Sequence, residues 1–156
     1  MNSVVVECPA KINWFLAVGP PDPSGYHPLR TVFQAVSLTD TLTVESCDGE
    51  DRIECSWGGL PANNTVSKTL RLAREFATLP AFRIRLDKRI PAESGLGGGS
   101  SNAAGLLRAI ERLVPSVINP RDQLEIAAAV GADVPFFLVG GRARGEGYGE
   151  QLTPLP

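Results

Sequence analysis

Apolar positions along the chain change their spacing near residue 64. Ahead of that point they read as strand. Residues 4–6 are all β-branched, and in 11–18 the apolar Ile12, Trp14, Leu16 and Val18 alternate onto one face. That register leaves Lys11, Asn13 and Phe15 together on the other face. Further strands are predicted at 31–37, 41–46 and 52–56. Between the first two lies a turn-rich loop, 19–28, which carries four prolines, two glycines, Tyr26 and the single histidine, His27.

Beyond residue 64 the pattern turns helical. Asn64 is a good N-cap, and Val66, Leu70, Ala73 and Ala77 recur at helical spacing behind it. Phe82, Ile84 and Leu86 alternate with Arg83, Arg85 and Asp87, which predicts one more strand. Helices are predicted at 101–114, stopped by Pro115, and at 122–130, ended by Gly131. Residues 134–139 and 142–146 read as short strands. There is no regular βαβ alternation, no repeat and no low-complexity tract, so the expected class is α+β with a mixed sheet.

Composition adds bounds. A chain of 156 residues, 43% hydrophobic and 21% charged, suits one domain with a real core. A formal net charge of -2 speaks against nucleic acid or an anionic membrane as the main partner, while leaving room for a local anion site made by backbone N–H groups. Cys8, Cys47 and Cys55 show no CxxC spacing and read as reduced thiols of a cytoplasmic protein. No apolar run approaches the ~20 residues of a membrane helix, and the N-terminus lacks a signal core. Residues 152–156 read as the start of a linker.

The densest chemical signal is Pro91-Ala92-Glu93-Ser94-Gly95-Leu96-Gly97-Gly98-Gly99-Ser100-Ser101. Four glycines in five positions are costly in chain entropy, and they let the backbone come close to a ligand. The loop empties into a predicted helix, where unpaired N–H groups and the positive end of the dipole favour phosphate. Ser100 and Ser101 can cap that helix, donate to phosphate oxygens or touch a metal. No Lys follows the glycines, so this is not a P-loop. A dinucleotide fingerprint fails as well, because Ser100 stands where its last glycine belongs.

The loop resembles the central motif of the GHMP kinases, the family of galactokinase, homoserine kinase and mevalonate kinase. Three more segments agree in order: Pro9-Ala10-Lys11-Ile12-Asn13, Gly25-Tyr26-His27 with Leu29, and Gly131-Ala132-Asp133-Val134-Pro135-Phe136. Gly145-Glu146-Gly147 fits too, whereas Glu93-Ser94 departs from the small residues usual there. The form of the loop is most similar to members acting on a diphosphocytidyl sugar alcohol of the methylerythritol route to isoprenoids.

The resemblance implies a GHMP-kinase N-terminal domain over 1–156, with the family's second domain, of similar size, outside this chain. It implies ATP and Mg²⁺, a small-molecule substrate with an alcohol acceptor, and self-association through a surface that would face the second domain. Lys11 and Asp133 are then the catalytic pair, with Asp133 accepting the hydroxyl proton. Residues 91–101 bind ATP, Ser101 is the candidate metal ligand, and Asn13, Tyr26 and His27 bind substrate. Without the resemblance, Asp133 would read equally well as a turn residue before Pro135, and Lys11 as a solvated strand lysine. Other GHMP chemistries, or an inert module that binds nucleotide or a partner, are the alternative readings.

Overall fold

The first two strands are longer than the pattern suggests. β1 (Ser3–Val18) and β2 (Leu29–Cys47) run antiparallel over nearly their full lengths. The computed structural model describes residues 2–156. After β3 (Arg52–Cys55) come α1 (Thr65–Phe76), β4 (Ala81–Asp87), α2 (Gly98–Leu113), α3 (Pro120–Val130) and α4 (Val134–Val139). β5 (Arg142–Glu146) and β6 (Gln151–Leu155) complete the chain. The strands make one six-stranded sheet, with order β3-β4-β2-β5-β6 and β1 on the second edge of β2. β3 and β4 pair in parallel and the other pairs are antiparallel, so the sheet is mixed and the class is α+β.

Alternation decides which face is covered. Leu42 and Val44 on β2, and Phe82, Ile84 and Leu86 on β4, are buried under the helices. On the opposite face Arg83 pairs with Glu45 at 3.4 Å. α2 lies centrally over the apolar face with Ala103, Leu106, Leu107 and Ile110 buried, each large side chain contributing about 1.5–3 kcal/mol. It approaches β1 so closely that a Cβ on Gly105 would collide with Cys8 Sγ. Burial there pushes the Cys8 thiol up to about 11, and all three cysteines are free.

The stripe Ile12, Trp14, Leu16 and Val18 is exposed, whereas Lys11 is 6% exposed. The β1–β2 register shifts between Pro9 and Lys11 and again between Asn13 and Phe15, so the alternation that buries Val6, Cys8 and Ala10 changes phase and turns Lys11 inward. Residues 134–139 form a helix rather than a strand: Pro135 sits in its first turn, where a missing N–H costs nothing, and Val134, Pro135, Phe136 and Phe137 are buried in succession. Residues 151–155 pair with β5 as a strand, instead of starting a linker. Among the described residues no helix is long and apolar enough to cross a membrane.

Candidate active site

The glycine-rich loop bends through Gly97, which has φ +73° and forms the N-cap of α2. A Cβ at Gly97 would stand 2.8 Å from the Phe137 ring and 3.2 Å from Lys11 Cγ, so both conformation and space require glycine. α2 therefore starts at Gly98, three residues before the predicted start at 101, and neither Ser100 nor Ser101 caps it. The Ser101 N–H donates to Gly97 O at 2.9 Å, which leaves the amides of Gly98, Gly99 and Ser100 without intrahelical acceptors. All three residues line a cleft of about 380 Å³.

From Pro91 to Ser100 every residue except Leu96 contributes to one wall of that cleft. Leu60, Asn64, Thr65, Val66, Leu86 and Lys88 form much of the rest. Thr65 Oγ1 donates to Gly99 O at 2.8 Å, so the start of α1 is pinned beside the start of α2. Two helix N-termini thus meet at one cavity, and both favour negative charge. Glu93, on the rim, is held at φ +55°, a region that only a few per cent of non-glycine residues occupy.

Beneath the loop lies a buried polar cluster that no local pattern announces. Asp40 is fully buried and accepts from the backbone N–H groups of Arg89 and Ile90 at 2.7 and 2.8 Å. The Lys88 ammonium donates to it at 2.5 Å and Asn102 Nδ2 at 2.9 Å. Burial pushes the Asp40 carboxyl up, but these donors together outweigh it and hold the group below the usual carboxylate range.

Lys11 joins β1 to this loop. Its N–H donates to Leu96 O at 2.9 Å. Its ammonium lies 3.4 Å from Asp133 Oδ2, donates to Asn13 Oδ1 at 2.8 Å, and stands 5.5 Å from the centre of the Phe33 ring. Asn13 Nδ2 in turn donates to Thr31 Oγ1 at 2.7 Å, and that hydroxyl donates to Phe15 O. Asp133 precedes α4 without capping it, so its carboxylate, about a third exposed, is free to meet a ligand. A nearly buried cation beside an accessible carboxylate can lower the pKa of a bound hydroxyl and take its proton.

Tyr26 and His27 sit on the exposed loop between β1 and β2 and make no hydrogen bond to Lys11, Asn13 or Asp133. His27 Nδ1 meets Gly19 O at 2.9 Å. A carbonyl can only accept, so in the neutral ring Nδ1 carries the hydrogen and Nε2 is left as an acceptor. Tyr26 packs at 5.6 Å and 60° against Tyr148, whose hydroxyl donates to Asp22 Oδ2 at 2.5 Å. Hydrogen bonds from Ser24 and then Tyr148 hold Asp22 at about 2. The Tyr148 turn reaches Asp133's neighbour, since a Cβ on Gly149 would lie 4.0 Å from Ala132 O. Tyr148 had one sequence signal that went unused: an aromatic inside the glycine-rich turn 145–149.

Ser101 lies one turn inside α2, 1% exposed and set back from the cleft surface. Its Oγ is the one buried side-chain N or O atom without a partner among the described residues. No group of three or more His, Cys, Asp or Glu side chains able to hold a metal occurs among those residues.

The chain is similar to known proteins over almost its whole length. The family model described as "GHMP kinases N terminal domain" matches residues 64–141. A 4-diphosphocytidyl-2-C-methyl-D-erythritol kinase of Thermotoga maritima is 45% identical over 94% of this chain and 53% of its own length. The protein of that name from Streptomyces coelicolor is 40% identical over 98% of this chain and 53% of its own. Among solved structures, a 4-(cytidine 5'-diphospho)-2C-methyl-D-erythritol kinase superposes with TM-score 0.84 at 39% identity, covering 97% of this chain and 55% of that one. Homoserine kinase from Cytophaga hutchinsonii shares the fold, with TM-score 0.70 at 23% identity over 100% of this chain and 52% of that one. The chain spans about half the length of the curated relatives it matches.

Proposed function

The chain belongs to the GHMP kinase family, and from that membership we propose that it serves to transfer the γ-phosphoryl group of ATP to a hydroxyl of 4-diphosphocytidyl-2-C-methyl-D-erythritol, in isoprenoid precursor biosynthesis by the methylerythritol phosphate route. The observation that carries the reading is the Lys11–Asp133 pair, 3.4 Å apart and tied to the glycine loop through the Lys11 N–H.

Phosphoryl transfer calls for positioning and charge stabilisation more than covalent chemistry. The amides of Gly98, Gly99 and Ser100 would receive the phosphates of ATP, with residues 91–101 enclosing them. Asp133 accepts the proton of the attacking hydroxyl. Lys11 orients that carboxylate, favours loss of the proton and offsets charge on the moving group. Asn13 spends its oxygen on Lys11 and one N–H on Thr31, so one amide hydrogen is left for a sugar hydroxyl. Tyr26 supplies a face for the cytosine ring, and His27 Nε2 an acceptor for its exocyclic amine.

Mg²⁺ would neutralise charge on the phosphate oxygens, which hold most of its coordination sphere. Ser101 Oγ, buried and unpartnered one turn behind the cleft surface, would be the protein oxygen that turns toward it. We assign the protein to the cytoplasm and expect it to self-associate through exposed apolar surface such as Trp14, Leu16 and Val18 on β1.

A coupled ADP-release assay with ATP, Mg²⁺ and 4-diphosphocytidyl-2-C-methyl-D-erythritol, on this chain and on Asp133→Ala, tests the reading. Turnover that vanishes in the variant supports it. Homoserine and mevalonate serve as rival acceptors, and turnover of either in place of the cytidine substrate overturns the substrate assignment. ATP binding without turnover favours a nucleotide-binding half that needs further residues. Silence with no ATP binding overturns the site.

A further inference from the structure

Asp40 takes over where the sheet gives out beside the glycine loop. The β2–β4 pairing ends at Thr41 and Asp87, and residues 88–90 then leave β4 as the entry to the loop. Asp40 stands one residue past that last pair, fully buried and outside the cleft wall. Its Oδ1 accepts the N–H groups of Arg89 and Ile90 at 2.7 and 2.8 Å, on the entry side. Its Oδ2 accepts from Asn102 Nδ2 at 2.9 Å, on the exit side, where the loop has become α2. Lys88 closes the junction, donating to Oδ2 at 2.5 Å and to Asn102 Oδ1 at 3.3 Å.

One carboxylate thus holds both ends of the loop, one oxygen to each. The ends also touch, since a Cβ on Gly98 would stand 3.0 Å from both Lys88 Nζ and Ile90 Cγ2. An ionised carboxylate accepts about four hydrogen bonds, and here that capacity is filled by Arg89, Ile90, Lys88 and Asn102. Asn102 lies about one turn along α2 from Gly98. Fixing Asn102 therefore fixes the direction of the first turn, whose free amides belong to Gly98, Gly99 and Ser100. Donors that converge on a charged ligand act most strongly when they are aligned before it arrives.

We infer that Asp40 is a positioning residue for nucleotide binding, which clasps the base of the glycine loop and holds the phosphate-facing amides of α2 in register. The inference rests on the ATP-binding reading above and gives a part in it to a side chain outside the cleft. Two backbone hydrogen bonds report the order of the loop without any ligand. The Lys11 N–H is held by Leu96 O and the Ser101 N–H by Gly97 O, and both carbonyls belong to the loop.

The test compares the wild-type chain with Asn102→Ala, Asp40→Asn and the double variant. Asn102→Ala opens the exit side alone and keeps the Asp40–Lys88 ion pair. It also raises helix propensity, so an effect on helix strength by itself would have the opposite sign. In Asn102→Ala, MgATP should bind about tenfold more weakly. In the same variant without ligand, the Lys11 and Ser101 amides should exchange about tenfold faster, and those of α3 and β5 at the wild-type rate. Both substitutions open one clasp, so their losses of MgATP affinity should not add in the double variant. If Asp40→Asn does not fold, the affinity and exchange of Asn102→Ala decide. Unchanged MgATP affinity, or exchange quickened equally throughout the fold, overturns the inference and leaves the ATP reading intact. Additive losses overturn it too, because Asn102 would then meet the nucleotide on its own account. Failure of the wild-type chain to bind MgATP overturns the ATP reading, and the exchange rates still decide whether the clasp orders the loop.

Discussion

Lys11 and Asp133, near opposite ends of the chain, come within 3.4 Å because β1 docks on the glycine loop and α4 packs Phe137 against that same loop. One contact sets both, since Gly97 touches the Lys11 stem and the Phe137 ring together. If Asp133 is the base, Asp133→Asn should lower kcat by about 10²–10⁴ while leaving the affinity for ATP nearly unchanged. Single-turnover kinetics with a separate ATP titration check it. A parallel loss of ATP affinity would point to a structural part for Asp133 instead.

Gly97→Ala should be far more damaging than Gly95→Ala. Both glycines have positive φ, but nothing lies within 4 Å of a Cβ on Gly95. The first variant should lose about 2–4 kcal/mol from left-handed strain and overpacking together, the second about 1 kcal/mol. Urea unfolding of the two variants measures the difference.

Asp40→Asn leaves the Lys88 ammonium buried without its counter-charge, and should cost about 3–5 kcal/mol. The folded Asp40 carboxyl titrates below its unfolded value. Its contribution is therefore complete above the ordinary carboxylate value of about 3.9, and is lost as pH falls through the lowered folded value. Urea midpoints of the wild type should decline across that acid range, and those of Asp40→Asn should decline less.

If His27 reads the base of the proposed cytidine substrate, His27→Ala should raise KM for that compound about tenfold and leave KM for ATP alone. His27→Asn, which restores an acceptor, should recover part of the loss. Equal effects on both substrates would mean that the loop acts on the fold rather than on the base.

Glu93→Gly should stabilise the chain by about 1 kcal/mol, by relieving a side chain held at φ +55°. Thermal unfolding measures the gain. An ATP titration of the same variant shows whether the carboxylate at the rim of the cleft repels the phosphates.

Much of the fold could be read from spacing, and particular residues show where that stops. Asn64 accepts from Ser67 N–H as the cap rule anticipates, and β4 buries Phe82, Ile84 and Leu86 as its alternation demands. The apolar run 134–139 carries no period that separates strand from helix; Pro135 at its start was the usable clue. The burial of Lys11 is not legible in β1 alone, because a register shift is a property of two strands, and one strand's pattern does not contain it. For the same reason the Asp40–Lys88–Asn102 cluster was invisible: its members are far apart in sequence and each looks ordinary alone. The glycine loop was legible because its chemistry is local.

β2 acts as a splice. One edge is bonded to β1, while the other is divided between β5 at residues 31–34 and β4 at 41–47. The cleft side and the Tyr26–Tyr148 side thus hang from opposite stretches of a single uninterrupted backbone. Neither flank can unzip without loosening the other, so amide exchange along β2 should report one opening event rather than two. Any closure around ligands then falls to the loops, and the sheet beneath them stays rigid.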